Sequence, residues 1–293
     1  MKYIEKHPLI MIVVGVIGIS LSSILVRYST APSALTAAWR LLWTVILMTP
    51  VVFGKRAVRT EIAAMNRKAV LLSVVSGLFL AVHFAVWFES LRHTSVASST
   101  TIVCTEVLWV SIGYCLFLKG KLARSAAAAI AVSFVGSVLI AWADAGAGHA
   151  HLYGDLLALI AAVAVAAYTL IGRFVRTSAS TTAYTYIVYS ACSAVLILLC
   201  MVQGYGFFAY GVSGVLVGLL LAVFSTILGH SIFSWCLKFF SPSFVSASKL
   251  CEPVVAAVMA ALLFGESMSL MQFAGSGLIL ASVLYYSRME QRS

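Results

Sequence analysis

Long apolar runs separated by short polar connectors make up almost the whole chain of 293 residues. A helix needs about 20 residues to cross a hydrocarbon layer of about 30 Å, and ten of these runs are long enough. Their approximate limits are residues 8–28, 33–53, 69–90, 95–117, 124–142, 153–175, 181–202, 211–237, 243–264 and 268–286. The pattern therefore predicts an all-α integral membrane protein with ten transmembrane helices and no soluble domain.

The composition agrees with a membrane protein. It is 62% hydrophobic and only 10% charged, with a mean hydropathy of +1.05, whereas about a quarter of the residues of soluble domains are charged. The 6 cysteines lie in apolar runs without CxxC or Cys/His spacing. We therefore expect neither a disulfide nor a metal site, and no cofactor.

The net charge of +10 reflects basic residues in short connectors and not one basic helix face. This distribution argues against a nucleic-acid partner. Because basic loops stay on the cytoplasmic side, it predicts a bacterial-type inner (plasma) membrane protein with both termini cytoplasmic. The first span is too long for a cleaved signal and is expected to be an uncleaved anchor. The basic stretch 55–68 predicts either a short interfacial helix or a solvated loop.

An internal repeat relates the two halves of the chain. His83 and Trp87 have counterparts in His230 and Trp235, 147 and 148 residues later. With five spans in each half, an odd number, the second copy must insert upside down. Such inverted repeats place a substrate site near the membrane midplane, between the halves. The two five-helix repeats are expected at residues 1–147 and 148–293.

Four sequence features together resemble the drug/metabolite transporter superfamily, EamA type. They are Arg40 within AWRLLW, the TSVASSTT run at 94–101, the pair Glu252-Pro253 and FGE at 264–266. The resemblance covers both halves. It implies a ten-helix, inverted-repeat carrier that moves a small metabolite, often outward, by exchange or proton coupling. The first repeat has Glu106-Val107 in place of the Glu-Pro pair, so the resemblance does not assure a proline-distorted helix there.

Four ionisable residues fall inside predicted spans, namely Arg40, Glu106, Lys249 and Glu252. Left facing lipid, they would cost about 2.5–3.5 kcal/mol each, so they must face protein or a water-filled cavity. Lys249 and Glu252 share one helix face. We expect them to form a cluster with Glu106 along the transport pathway, where a carboxylate could bind and release protons. The alternative is a fixed ion pair of Lys249 that locks two helices together.

Two further charged positions are open to more than one interpretation. Arg40 could counter a carboxylate or an anionic group of the substrate, or it could snorkel outward or hydrogen-bond to helix carbonyls. Glu89 and Arg92 are three residues apart at the end of the third span, and this spacing predicts a local ion pair.

Aromatic and histidine residues are the next candidates for the site. His83 and Trp87 share a helix face, and His230 and Trp235 are expected at the inverted positions. Histidines beside a cavity could titrate near neutral pH and hydrogen-bond a substrate, and tryptophans could stack on a ring or a cation. The alternative is that all four pack as ordinary core residues.

Small polar residues complete the set of candidates. Ser98, Thr101 and Ser246 either line a wet pathway or allow close helix packing. A polar stripe of Ser20, Ser23 and Arg27 on the first span, and Tyr168 on the sixth, would also face the cavity.

The sequence favours a secondary transporter over an enzyme. It has no Walker A motif and no HExxH or GxSxG pattern. Two bases and two acids in the spans fit a zwitterion such as an amino acid better than a polyanion. The expected partners are this small-molecule substrate, a proton or counter-substrate, and membrane lipids. The alternatives are a membrane-embedded enzyme acting on a lipid-like substrate, and a channel or structural membrane protein.

Overall fold

The structure is a computed structural model that describes residues 7–26, 28–94, 96–144, 152–252, 254–255, 258–259, 262 and 270–290. All regular secondary structure in these ranges is helical. The helices are α1 (Pro8–Val26), α2 (Ser33–Gly54), α3 (Arg56–Ala64), α4 (Arg67–His93), α5 (Val96–Cys104), α6 (Glu106–Phe117), α7 (Arg124–Asp144), α8 (Leu152–Val175), α9 (Thr181–Val202), α10 (Gly211–Leu220), π1 (Leu221–His230), α11 (Ser231–Cys236), α12 (Pro242–Lys249) and α13 (Leu270–Glu290).

Six helical segments in the described ranges are long and apolar enough to cross a membrane. They are α1, α2, α4, α8, α9 and the continuous segment formed by α10, π1 and α11. These correspond to the predicted spans one, two, three, six, seven and eight. The all-helical, multi-pass architecture is therefore confirmed, whereas the count of ten spans stays a prediction. Pro253 and the FGE sequence lie outside the described residues.

The helices pack around two buried apolar clusters. The first joins α2, α4, α8 and α9 through side chains such as Phe84, Tyr184 and Leu196. The second joins α1, α6, α7, α11, α12 and α13 through side chains such as Val107 and Phe244. Large apolar side chains also cover the outside of the bundle, as expected for surfaces that face lipid.

Local sequence signals set the starts of several helices. Asn66 caps α4, where its Oδ1 accepts a hydrogen bond from the backbone N–H of Ala69 at 2.7 Å. Ser180 and Ser241 cap α9 and α12 in the same way. These residue types are favoured at this position because they satisfy backbone donors that have no partner inside the helix. Pro242, which follows the cap of α12, has the fixed φ that a first helical residue needs.

Polar contacts at the end of the bundle that carries α3 join the first repeat to α9 and tie α8 to the end of α11. The basic stretch 55–68 contains this short helix, which agrees with the helical alternative for that stretch. The backbone N–H of Ser180, at the start of α9, donates to Glu61 Oε1 at 2.5 Å. Arg173 and Arg176 lie at and just beyond the end of α8, and both donate to backbone carbonyls at the end of α11.

The chain breaks its helical geometry immediately before each intramembrane glutamate. A turn at Thr105 separates α5 from Glu106, the first residue of α6, and a turn at Leu250 and Cys251 precedes Glu252. The first break forms without a proline, and there the Thr105 hydroxyl donates to the Ile102 carbonyl at 2.7 Å. Both carboxylates therefore lie at the start of a helical segment, where the helix dipole favours negative charge.

A ten-residue π-helix, π1, occupies the middle of the segment from Gly211 to Cys236. π-helical segments are rare in proteins, and those that occur are often found at functional sites. The helix α1 crosses π1 at backbone contact distance, because a Cβ on Gly18 would lie 2.7 Å from the carbonyl oxygen of Phe224. A Cβ on Gly229 would lie 2.8 Å from Ile19 Cγ2. Glycine is required on both sides of this crossing.

The close crossing predicts that Gly18→Ala destabilises the protein. The added methyl group forces α1 away from π1, and overpacking of this kind costs about 1–3 kcal/mol. Thermal unfolding of the purified protein measures the loss. The matched control is Gly277→Ala on α13, where a Cβ meets nothing within 4 Å. Equal unfolding temperatures for Gly18→Ala and wild type would contradict the crossing.

Candidate functional site

A small cavity of about 40 Å³ lies inside the bundle, between helices of both halves of the chain. Seven of its lining residues are candidates from the sequence: Arg40, His83, Trp87, Glu106, His230, Lys249 and Glu252. The others are Ile19, Ser22, Val103 and Val165. The space holds about three water molecules and is far below the roughly 300–1,000 Å³ of typical ligand sites. The cavity is therefore too small to hold a metabolite in this conformation, which we call closed.

A buried ion pair joins α6 to α12 at the edge of this cavity. Lys249 Nζ lies 2.8 Å from Glu106 Oε1, and the two side chains are 10% and 6% exposed. The Phe233 ring lies 5.5 Å from the same ammonium group. Because desolvation costs several kcal/mol for each ion, two charges are stable here only as a pair. The predicted cluster is present, and its Lys249–Glu106 part also has the geometry of the alternative, a pair that locks two helices together.

Arg40 is 1% exposed, so the alternative that it snorkels outward is wrong. Its Nε donates to Thr226 Oγ1 at 2.7 Å, and its Nη1 donates to Ser22 Oγ at 3.2 Å. The guanidinium carbon lies 4.2 Å from the centre of the Phe84 ring, a cation–π contact. Among the residues that the structure describes, the buried Nη2 has no hydrogen-bond partner. The guanidinium group is thus held firmly with one donor left over.

The two histidines and Trp87 form an aromatic wall of the cavity. His83 Nδ1 lies 3.0 Å from the Ala161 carbonyl, to which it donates, and its ring stacks on Trp87 with centroids 5.7 Å apart. The His230 ring lies 6.4 Å from that of His83. His230 Nδ1 and Trp87 Nε1 are buried without a partner in the described ranges. Buried polar atoms of this kind are uncommon and call for a specific explanation.

Glu252 is the second carboxylate of the cavity. Within the described part of the chain its side chain makes no ion pair within 4.0 Å and no hydrogen bond, because Lys249 pairs with Glu106. Its backbone carbonyl accepts a 3.5 Å hydrogen bond from Ser20 Oγ. The cavity therefore combines two bases and two acids, and among the charged groups of these four residues the least paired are the Glu252 carboxylate and one nitrogen of Arg40.

Two further candidates, Tyr168 and Ser246, lie outside the cavity wall. Tyr168 forms a second layer, with its hydroxyl 2.8 Å from Ser234 Oγ and its ring 6.1 Å from that of His230. Ser246 is buried on α12 but does not line the cavity. The side chains of Ser98 and Thr101 are outside the described residues.

Trp235 does not take the position that the repeat predicted for it. Its ring packs on Phe239, with centroids 4.4 Å apart, away from the cavity. The physical reason is spacing. His83 and Trp87 are four residues apart and share a helix face, whereas five residues separate His230 from Trp235 and turn the second ring aside.

Ser22 and Thr226, which hold the Arg40 guanidinium, were not predicted from the sequence. The predicted stripe on α1 named Ser20, whose hydroxyl donates to the Val16 carbonyl at 2.7 Å. The Ser23 side chain and Arg27 lie outside the described residues. Thr226 could have been found from its position four residues before His230, on the same helix.

The prediction of a Glu89–Arg92 ion pair was wrong. Glu89 Oε1 lies 3.0 Å from Nε2 of His93, one residue further along α4. Both partners are substantially exposed. Since either neighbour is within reach on a helix surface, spacing alone did not decide between them.

The buried Lys249–Glu106 ion pair predicts that the losses of stability caused by mutating its two residues are not additive. Glu106→Gln and Lys249→Met, made singly, each leave one buried charge unpaired, which is expected to cost about 3–5 kcal/mol of stability. The double variant removes both charges and is expected to recover most of that loss. Thermal unfolding of the three variants measures the effect. Glu89→Gln, at an exposed pair, is the control and should change stability by at most about 1 kcal/mol. Purely additive losses would contradict the pairing.

Comparison with known proteins agrees with this architecture. The model of the EamA-like transporter family matches the chain twice, over residues 7–142 and 152–288. The repeat boundary expected at residues 147 and 148 lies outside the described residues.

A relative and a solved structure are also similar to this chain. A protein of Archaeoglobus fulgidus named as an uncharacterized transporter is 25% identical over 198 residues, which cover 65% of this chain and 67% of that protein. A solved crystal structure of a protein has a TM-score of 0.79 at 15% identity and covers 98% of both chains. At this identity the similarity shows a shared fold alone.

Proposed function

Because the chain belongs to the EamA-like transporter family and is a membrane transporter, we propose that it is a secondary transporter for a small zwitterion such as an amino acid. One observation carries the proposal. In the described residues, the central cavity contains an unpaired carboxylate on Glu252 and an unused guanidinium donor on Arg40. Opposite charges that lack full partners in an apolar bundle are suited to a ligand that carries both.

The groups of the cavity correspond to the two ends of a zwitterion. The Nη2 donor of Arg40 would bind the substrate carboxylate, since an arginine and a carboxylate form strong charge-assisted hydrogen bonds. Glu252 would bind the substrate ammonium. The free donor of Trp87 could supply a further hydrogen bond. A net-neutral ligand leaves the balance of two bases and two acids unchanged, whereas a polyanion would need surplus basic residues.

Glu252 also suits coupling to protons. It shares the cavity with Arg40, His83, Glu106, His230 and Lys249, which are the charged or titratable residues of its wall. A carboxylate that holds either a proton or the substrate ammonium, and never both, exchanges one for the other. This competition would drive substrate outward while protons move inward. The protein would thus act as an exporter and antiporter in a bacterial-type inner membrane, with both termini cytoplasmic.

Alternating access supplies the movement that this mechanism needs. In the closed cavity there is no room for an amino acid, so helices of the two repeats must separate to admit one. Inverted repeats permit opening to one side and then to the other around a fixed site. The Lys249–Glu106 pair joins the two helices that the repeat makes counterparts, and it would hold them together while the cavity is closed.

The proposal predicts a ligand that stabilises the protein through Arg40 and Glu252. A thermal-shift screen of amino acids and other small metabolites should find a zwitterion that raises the unfolding temperature, because a ligand that binds only the folded state stabilises it. Glu252→Gln should bind this ligand about 10- to 100-fold more weakly, since a hydrogen bond to a charged group contributes about 1.5–3 kcal/mol. Glu89→Gln, at an exposed site, is the control and should bind normally. Unchanged affinity in Glu252→Gln would contradict the assignment.

Transport measurements test the coupling. Proteoliposomes with wild-type protein should show saturable counterflow of the ligand and efflux driven by an inward proton gradient. Glu252→Gln should lose the gradient-driven flux, while Glu89→Gln retains it. A wild-type rate in Glu252→Gln would exclude Glu252 from the coupling, and a single-channel current would show that the protein is a channel.

A further inference from the structure

A second cavity lies on the outer surface of the bundle, between α4, α6 and α8. It is an open groove of about 410 Å³, within the range of typical ligand sites. Its lining residues are Lys68, Leu72, Phe117, Leu118, Ala167, Leu170, Ile171 and Phe174. None of them lines the central cavity. The groove is therefore separate from the proposed substrate site, and its role does not depend on that proposal.

The walls of the groove are apolar and its rim is aromatic. Seven of the eight lining residues are hydrocarbon or aromatic side chains, and the eighth is Lys68. Phe117 is 79% exposed and Phe174 is 44% exposed. A polar metabolite would lose its hydration against such walls without gaining hydrogen bonds, so the walls fit a hydrocarbon chain.

Lys68 supplies the one charge of the lining. Its Nζ lies 5.3 Å from the centre of the Phe174 ring. The side chain is exposed, and among the described residues no carboxylate pairs with it within 4.0 Å. Lys119 directly follows Leu118 in the chain, and Lys121 follows two residues after Lys119. The cationic end of the groove thus has the charge that complements an anionic group.

The position of this lysine places the charge at a membrane surface. Lys68 is the second residue of α4, Phe117 is the last residue of α6, and Phe174 is the last but one of α8. The start of α4 and the ends of α6 and α8 meet here, at the side that the basic loops predict to be cytoplasmic. Leu72 and Ala167 lie further from this surface than Lys68 and Phe174 do, each about one or two turns deeper in its helix. The apolar walls therefore extend from this surface into the hydrocarbon layer.

We propose that the groove binds an anionic phospholipid. One acyl chain lies along the apolar walls, and the headgroup phosphate contacts Lys68. The cytoplasmic leaflet is the source of such lipids, and basic residues near its surface attract them. A neutral lipid has the same hydrocarbon chains but carries no net negative charge for Lys68, so the site discriminates by headgroup.

A lipid titration tests the site with the full-length protein. The unfolding temperature of protein in neutral detergent is followed during addition of dioleoyl-phosphatidylglycerol or dioleoyl-phosphatidylcholine. The anionic lipid is expected to stabilise wild type at lower concentration than the neutral one. Lys68→Gln should raise the concentration of anionic lipid needed by about fivefold and leave the response to the neutral lipid unchanged.

Lys238→Gln is the matched control. Lys238 is also exposed and also lies over a phenylalanine, with Nζ 5.8 Å from the centre of the Phe239 ring, but it does not line the groove. This variant should respond to anionic lipid as wild type does. An equal loss in both variants would show diffuse surface attraction and overturn the site.

A second variant tests the apolar walls of the groove without changing the charge of Lys68. Ala167→Phe places a ring between the apolar walls and keeps Lys68, and it should reduce the number of phosphatidylglycerol molecules that remain bound in native mass spectrometry. The number of phosphatidylglycerol molecules bound to Ala167→Phe also tests whether the groove binds lipid if Lys68→Gln is too unstable to measure. The proposal is overturned by equal stabilisation with both lipids, by an unchanged count in Ala167→Phe, or by a dimer that covers the groove and excludes lipid.

Discussion

Charged side chains that face the hydrocarbon around the bundle are costly, and this cost constrains where Arg40, Glu106, Lys249 and Glu252 can lie. All four are placed in the interior of the bundle, at the central cavity. Lys249 and Glu106 neutralise each other at 2.8 Å. The Arg40 guanidinium has no acidic partner within 4.0 Å in the described ranges and is held by two hydroxyl groups and a phenylalanine ring. Glu252 is left to face the closed cavity. The same requirement that buries these groups therefore leaves a small set of unused charges for a ligand.

The backbone departs from regular α-helix where these groups are placed. Glu106 begins α6 after the turn at Thr105, and Glu252 follows the turn that ends α12. Thr226, within π1, accepts the Arg40 bond and donates to the Leu221 carbonyl at 3.3 Å. Irregular backbone is tolerated inside a membrane only where protein or a cavity covers it. The breaks in helical geometry are therefore tolerated because they lie beside the cavity, and they in turn place Glu106 and Glu252 at the cavity and Thr226 against Arg40.

Sequence predicted the six spans that the described residues confirm, and the clustering of charges, because lipid imposes length and apolarity on each span and makes every isolated charge costly. It also placed His83, Trp87 and His230 at one site. Finer placement failed where helix rotation decides it. Five residues between His230 and Trp235 turned the tryptophan away. Hydropathy does not distinguish a π-helix from an α-helix, so neither π1 nor the Thr226 bond to Arg40 was predicted.

The proposed opening of the closed cavity alternately to the two sides of the membrane is tested most directly by cysteine accessibility. Val103 lines the cavity without a polar contact. In a variant free of native cysteines, Val103→Cys should react with a membrane-impermeant thiol reagent from either side, and bound substrate should protect it. Val110→Cys, fully buried in α6, is the control. A Val103→Cys residue that stays unreactive from both sides would contradict the account, because the cavity would then be a permanently sealed part of the core.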